Sequence, residues 1–175
     1  RSIDKNDLLE KVKKYFDVEE ISFDANTKDA MRIKLLENIE KSSKERISMG
    51  LFLKNQNKFY LLKLREDVDD ILDEYKVPEV LKSLDLIVLH KVIISKELGY
   101  TQEEQMAQDG ILYIKQESEA FDMIDNGTAE ASFIMAYPKI QDIKRISEAG
   151  ERMPQKSTYF YPKLLSGIVI NPLED

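Results

Sequence analysis

The chain has 175 residues, 42% of them hydrophobic and 34% charged, with a formal net charge of -7, no cysteine and one histidine. Those numbers suit one soluble globular domain with a real core, and the acidic balance argues against a sequence-independent grip on phosphate backbones, which needs clustered Lys and Arg. The missing cysteine excludes disulfides, thiolate nucleophiles, Cys-ligated zinc and iron-sulfur clusters, and the single imidazole, His90, excludes a multi-histidine zinc site within one chain.

Neither nucleic acid nor membrane is expected as a partner. No apolar run approaches the roughly 20 residues that span a bilayer, and no charged-then-apolar signal segment opens the chain. A cytoplasmic location is expected.

Helical spacing begins at once, with Leu8, Leu9, Val12 and Phe16 following a cap at Asp4 or Asn6. Arg1 stands where a complete protein would carry Met, which reads as a piece excised from a longer protein. A second helix is expected from about Thr27 to Lys41, with Met31, Leu35, Leu36 and Ile39 on its apolar face. Ile47 to Lys54 and Lys58 to Leu64 are β-rich runs separated by Asn55-Gln56-Asn57, which predicts a hairpin. The run Phe59-Tyr60-Leu61-Leu62 is nearly continuous in apolar residues, so it should be covered on both faces.

Val68, Ile71, Leu72 and Tyr75 recur at helical spacing and push Asp67, Asp69, Asp70, Asp73 and Glu74 toward solvent. These acids lack the glycine turn and terminal glutamate of a calcium loop, so they read as a solvated face and no metal site is expected. Leu84 to Leu98 is apolar nearly all round, which favours a buried helix, and His90 lies inside it. From residue types alone, His90 is a core histidine satisfied by a hydrogen bond, or else a candidate catalytic residue.

The last third alternates: Ile111 to Lys115 as strand, Ser118 to Asn126 as helix, Ala131 to Ala136 as strand, Lys139 to Ala149 as helix, and Gly167 to Ile170 as strand. The expected fold is α/β (α+β), a mixed β-sheet containing the hairpin and flanked by helices, with residues 1-175 as a single domain. Gly127 and Gly150 sit where helices should end.

Gly150 to Lys163 is the most unusual stretch, since it gathers basic groups, two hydroxyls, three aromatics and two prolines between a helix and the final expected strand. Prolines stiffen such a loop, and ordered polar loops often carry sites. Gly150 to Ser157 comes within one residue of G-x-x-x-x-G-K-[ST]. Gln155 replaces the second glycine, Pro154 lacks a backbone donor, and a helix precedes the loop where the motif requires a strand, so it is not a P-loop. Arg152, Lys156, Ser157 and Thr158 could still hold an anionic group in another geometry, with Lys163 a more distant electrostatic helper. The bland alternative is that Tyr159, Phe160 and Tyr161 anchor the loop while Lys156 and Lys163 stay solvated.

Met153-Pro154-Gln155-Lys156-Ser157-Thr158-Tyr159-Phe160-Tyr161-Pro162-Lys163, followed by Leu164-Leu165-Ser166-Gly167-Ile168-Val169-Ile170, resembles the C-terminal signature of the domain-of-unknown-function family 1015, a bacterial family. Val88-Leu89-His90, Leu98-Gly99-Tyr100, and Phe133-Ile134-Met135 with Pro138 resemble its other segments, so the resemblance covers roughly residues 80 to 170. It implies that this chain is the C-terminal half of a longer protein, whose missing N-terminal half would be its first partner. It also implies a distant tie to the ParB and sulfiredoxin superfamily, which includes kinases of free serine.

Two functions follow as expectations. One is an enzyme domain handling a nucleotide or phosphorylated small molecule, a serine-type small-molecule kinase with ATP or ADP and Mg as cofactors, whose base and metal ligands lie largely in the absent half. The other is a non-catalytic binding or regulatory module that docks its own N-terminal domain or a partner protein through Tyr159, Phe160 and Tyr161.

Overall fold

The computed structural model describes residues 4–65 and 68–154. The chain opens with α1 (Lys5–Lys13), capped by the Asp4 carboxylate, which accepts the backbone N–H groups of Asn6 and Asp7 and so satisfies donors that a first helical turn leaves open. It continues through β1 (Phe16–Ser22), α2 (Lys28–Ser42), and the hairpin strands β2 (Ser48–Leu53) and β3 (Lys58–Leu64). Three short helices follow, α3 (Asp69–Glu74), α4 (Glu79–Lys82) and α5 (Asp85–Val88), the last leading directly into a π-helix (Leu89–Glu97). Then come α6 (Gln102–Ala107), α7 (Glu117–Asp125), β4 (Ala131–Met135) and α8 (Ile140–Glu148).

The four strands form one sheet in the order β1-β3-β2-β4. Its centre is apolar on both sides, and this dictates the layering. Met49, Leu51, Leu53, Tyr60 and Leu62 face one core, built with Leu8 and Val12 of α1, Val92 and Ile93 of the π-helix, and Ile146 of α8. Phe52, Phe59 and Leu61 face the other, built with Leu35 and Ile39 of α2 and Phe121 and Ile124 of α7. Helices therefore cover both faces, as the continuous apolar run of β3 predicts.

The expected α+β class holds, and so do the hairpin and the helices at 28–42, 69–74, 117–125 and 140–148. Asp69, Asp70, Asp73 and Glu74 are exposed, as a solvated face requires, while Asp67 lies outside the described residues. Gly127 and Gly150 take φ of +80° and +75° just past their helices, the left-handed turn that glycine enters without a side-chain clash.

Four expectations need correction or completion. The sheet is not mixed among the described residues, where all three pairings are antiparallel. β1 and β2 do run parallel, but the hairpin inserts β3 between them. The first helix stops before Phe16, which is buried from β1 instead. The charges of that strand are answered across the sheet edge, where Asp17 meets Arg46 and Arg65, Glu19 meets Lys63, and Glu20 meets Lys58. Ile111 to Lys115 is not a strand; Ile111 packs on the first core and the Tyr113 ring stacks on His90, so side chains hold the segment without a ladder. Gly167 to Ile170 lies outside the described residues.

Gly50 in β2 marks where α2 comes closest to the sheet. A Cβ there would stand 2.9 Å from Ile39 Cδ1, 3.1 Å from Leu35 Cδ2 and 3.3 Å from Ile134 Cβ. Gly50→Val should overpack this seam and destabilise the fold by about 1–3 kcal/mol, measured as a lowered urea midpoint with an unchanged slope. An unchanged midpoint would mean that α2 does not press on β2 there.

Candidate functional site

The helical segment Asp85–Glu97 forms one wall of an open groove of about 2700 Å³ that runs along β4 to α8. All of that segment after its first four residues is a nine-residue π-helix, at whose end the Leu98 amide donates to the Ile93 carbonyl at 2.9 Å. π-Helical turns are rare and occur often at functional sites. This one buries three consecutive β-branched residues, Val92, Ile93 and Ile94, and β-branched side chains crowd an ordinary α-helical turn.

His90 projects from its first turn, half-buried, and lines the groove. Its Nδ1 lies 2.7 Å from Gln105 Oε1. Gln105 Nε2 donates to Ser95 Oγ at 2.9 Å and to the Tyr100 carbonyl at 3.2 Å. A carbonyl only accepts, so the amide nitrogen must face Tyr100 and the amide oxygen must face His90. An amide oxygen also only accepts, so the proton of the neutral ring sits on Nδ1 and Nε2 carries the lone pair. That nitrogen lies 3.5 Å from the Tyr113 hydroxyl, and the two rings stack with centroids 5.7 Å apart and planes 9° from parallel.

Burial holds the His90 pKa below its ordinary value; the Gln105 contact opposes this and the Lys91 charge adds to it. Asp85, on the same wall, moves the other way. Burial raises its carboxyl pKa, against the backbone N–H groups of Leu86 and Ala136 that stabilise the anion, and the neighbouring Asp142 raises it further. The Leu86 amide donates to Asp85 Oδ1 at 2.7 Å. Both shifts have burial as their first cause and both favour the neutral form of the group.

Of the cations that line the groove, Lys139, Arg145 and Lys82 each have a partner. Lys139 donates to the Ser43 carbonyl at 2.7 Å, Arg145 bonds Ser83 Oγ and Asp142, and Lys82 pairs with Asp73 and Glu79. Among the described residues no three Asp, Glu or His side chains converge as a metal-binding group.

Of the residues singled out in the sequence, His90 has the protein-bonded ring nitrogen expected of it, and its ring also opens on the groove. Arg152 is exposed on the coil that follows α8, and the adjacent Met153 lines the groove. Lys156, Ser157, Thr158 and Lys163 lie outside the described residues, as do Tyr159, Phe160 and Tyr161. Asp85, Gln105 and Tyr113 are additions that only the fold reveals, because they come from three separate elements. Among the described residues no helix is long and apolar enough to cross a membrane. Compared with family models, curated proteins and solved structures, the chain matches none.

As the sole histidine, His90 can be titrated alone by ¹⁵N-¹H NMR. The expected result is an Nδ1–H tautomer with a pKa below 6.5. Because the folded pKa is depressed, the unfolded chain binds the proton more readily. The imidazole's contribution to stability is then complete above pH about 6.5 and is lost as pH falls through the folded pKa. His90→Gln should flatten that part of the stability profile. An Nε2–H tautomer or a raised pKa would contradict the geometry.

Proposed function

We propose that the groove is the site of an enzyme domain acting on an anionic small molecule, a nucleotide or a phosphorylated metabolite, with His90 as its proton-transfer group. The observation that carries this reading is the fixed tautomer: Gln105 holds the proton on Nδ1, so the lone pair that can act as a base is on Nε2, beside the Tyr113 hydroxyl at 3.5 Å. The lowered pKa keeps the ring neutral near pH 7, which is the form a general base needs. Asp85, on the same wall, is the second titratable group the groove offers.

The ligand class comes from the sequence, where Arg152, Lys156, Ser157 and Thr158 form an anion-binding set and Lys163 helps at longer range. The narrower reading, by resemblance to family 1015 and its distant kinase relatives, is a serine-type small-molecule kinase. In that case ATP or ADP with Mg would supply the phosphoryl chemistry, while this chain's residues would bind anionic oxygens and take the proton from an attacking hydroxyl at His90 Nε2. Protein catalysis of phosphoryl transfer consists mostly of such positioning and charge stabilisation.

A second reading, a binding module for the N-terminal half or a partner protein, draws on a different observation. Leu112, Tyr137 and Ile140 line the groove at 59%, 75% and 78% exposure, and exposed apolar groups that gather along one feature mark docking surfaces.

A thermal-shift screen of the full-length protein against nucleotides, phosphorylated amino acids and free amino acids separates the two. An enzyme site gives a stabilising ligand by mass action, and His90→Gln then cuts turnover by roughly 10²- to 10⁴-fold with the melting temperature little changed. Lys156→Ala should weaken the same ligand by about 1.5–3 kcal/mol in calorimetric titration. No stabilising ligand, together with stabilisation by the N-terminal half, favours the binding module.

A further inference from the structure

We infer that Glu97 is a positioning residue for His90: its clamp on Lys14 and Tyr15 holds the π-helix in the one register from which His90 and Ser95 reach Gln105 together. The inference deepens the reading of His90 as the proton-transfer group and takes its catalytic meaning from that reading, but it is measured on the chain without a ligand.

The register shows in how Gln105 meets the helix. Its Oε1 lies 2.7 Å from His90 Nδ1 and its Nε2 donates at 2.9 Å to Ser95 Oγ, five residues further on. In an α-helix residues five apart stand about 140° apart around the axis, on faces that one carboxamide does not join. The wider i→i+5 turn brings such a pair to one face. It also lets Val92, Ile93 and Ile94 be buried together, whereas an α-helix would spread them over about 200°. Return to the α register would therefore break the Gln105 bridge and strain the core in one step.

Glu97, the last residue of the π-helix, holds the wider turn at its C-terminal end. Its Oε1 accepts the Tyr15 hydroxyl at 2.6 Å and its Oε2 accepts Lys14 Nζ at 2.9 Å. The side chain is only 9% exposed. Burial opposes its ionisation, yet the Tyr15 hydroxyl and the Lys14 and Lys11 charges prevail and keep the carboxyl below its ordinary value. Burial and the Glu97 carboxylate push the Tyr15 hydroxyl up to about 12, so it stays a donor. Tyr15 is itself fixed between α1 and the sheet, because its amide donates to the Val12 carbonyl at 3.1 Å and its carbonyl accepts the Arg65 amide at 2.9 Å.

A nearly buried carboxylate cannot leave two such donors without a large penalty, so Glu97 pins the rotation of the helix end. Directly beyond it the chain turns back. Gly99 takes a φ of +71°, its amide donates to the Ser95 carbonyl at 3.1 Å, and the Tyr100 amide donates to the Ile94 carbonyl at 3.0 Å. This reversal presents the Tyr100 carbonyl to Gln105 Nε2 at 3.2 Å, the contact that orients the carboxamide toward His90.

Imidazole ¹⁵N-¹H NMR on the 175-residue chain tests this in Glu97→Ala and Tyr15→Phe, with Ile39→Val as a control that loosens the opposite core. The unaltered chain should show the Nδ1–H tautomer alone. Glu97→Ala should admit the Nε2–H tautomer to roughly 10% or more of the population, and Tyr15→Phe, which leaves Lys14 in place, should move it the same way by less. Ile39→Val should leave it unchanged. Slow amide exchange at Tyr60 and Leu62 reports that the sheet stays folded. A single Nδ1–H tautomer in folded Glu97→Ala overturns the inference, as does an equal change in Ile39→Val. If Glu97→Ala loses protection at the sheet centre, Tyr15→Phe decides, and an unchanged tautomer there is the contradicting result. If the tautomer changes while phosphoryl transfer from ATP to serine by the full-length protein does not, the positioning role stands and the catalytic reading of His90 fails.

Discussion

Everything in this fold depends on a hairpin that is apolar on both faces. All six residues of β2 are buried, and Phe59 to Leu62 of β3 alternate between two cores. At about 25 cal/mol per Å² of apolar surface removed from water, neither face can be left to solvent. The chain must supply a helical layer on each side. α2 and α7 close one face around the ring cluster of Phe23, Phe52, Phe59 and Phe121. α1, the π-helix and α8 close the other.

The candidate site follows from that second layer. The π-helix buries Val92, Ile93 and Ile94 against the sheet, and this leaves His90, near its start, on the wall that faces the groove. α6 is brought alongside by Gln105, whose carboxamide joins Ser95, Tyr100 and His90 in one network. A buried amide with all its polar atoms engaged fixes the ring more rigidly than packing alone. The chemistry of Nε2 is therefore set by a residue that need not touch a ligand.

Much of the architecture was legible in the residues themselves. α2 and α8 carry helical spacing, and Asn55-Gln56-Asn57 is turn chemistry, with Asn55 at a φ of +61°. β1 was not legible, because Asp17, Glu19 and Glu20 break the apolar alternation and their basic partners lie on β3, at Arg46 and at Arg65. Strand propensity at 111–115 misled for the opposite reason: the residue types fit a strand, but no ladder partner is present among the described residues. In the site, His90 could be singled out as the only histidine, whereas Gln105 gains meaning only once burial shows it to be one of two buried polar residues among those described. Asp85 reads as an ordinary helix-start acid until β4 brings the Ala136 amide to it. The proposal of an anion-binding loop rests, from Gln155 onward, on the sequence alone.

The most direct test of the central claim is where a ligand lands. Backbone and imidazole chemical shifts should be mapped in the full-length protein during titration with ADP and with O-phosphoserine. Shifts concentrated at Asp85, His90, Gln105 and Tyr113, saturating with one dissociation constant, are the predicted result. Saturable shifts confined to a surface remote from the groove, or none at His90 with either compound, would contradict it.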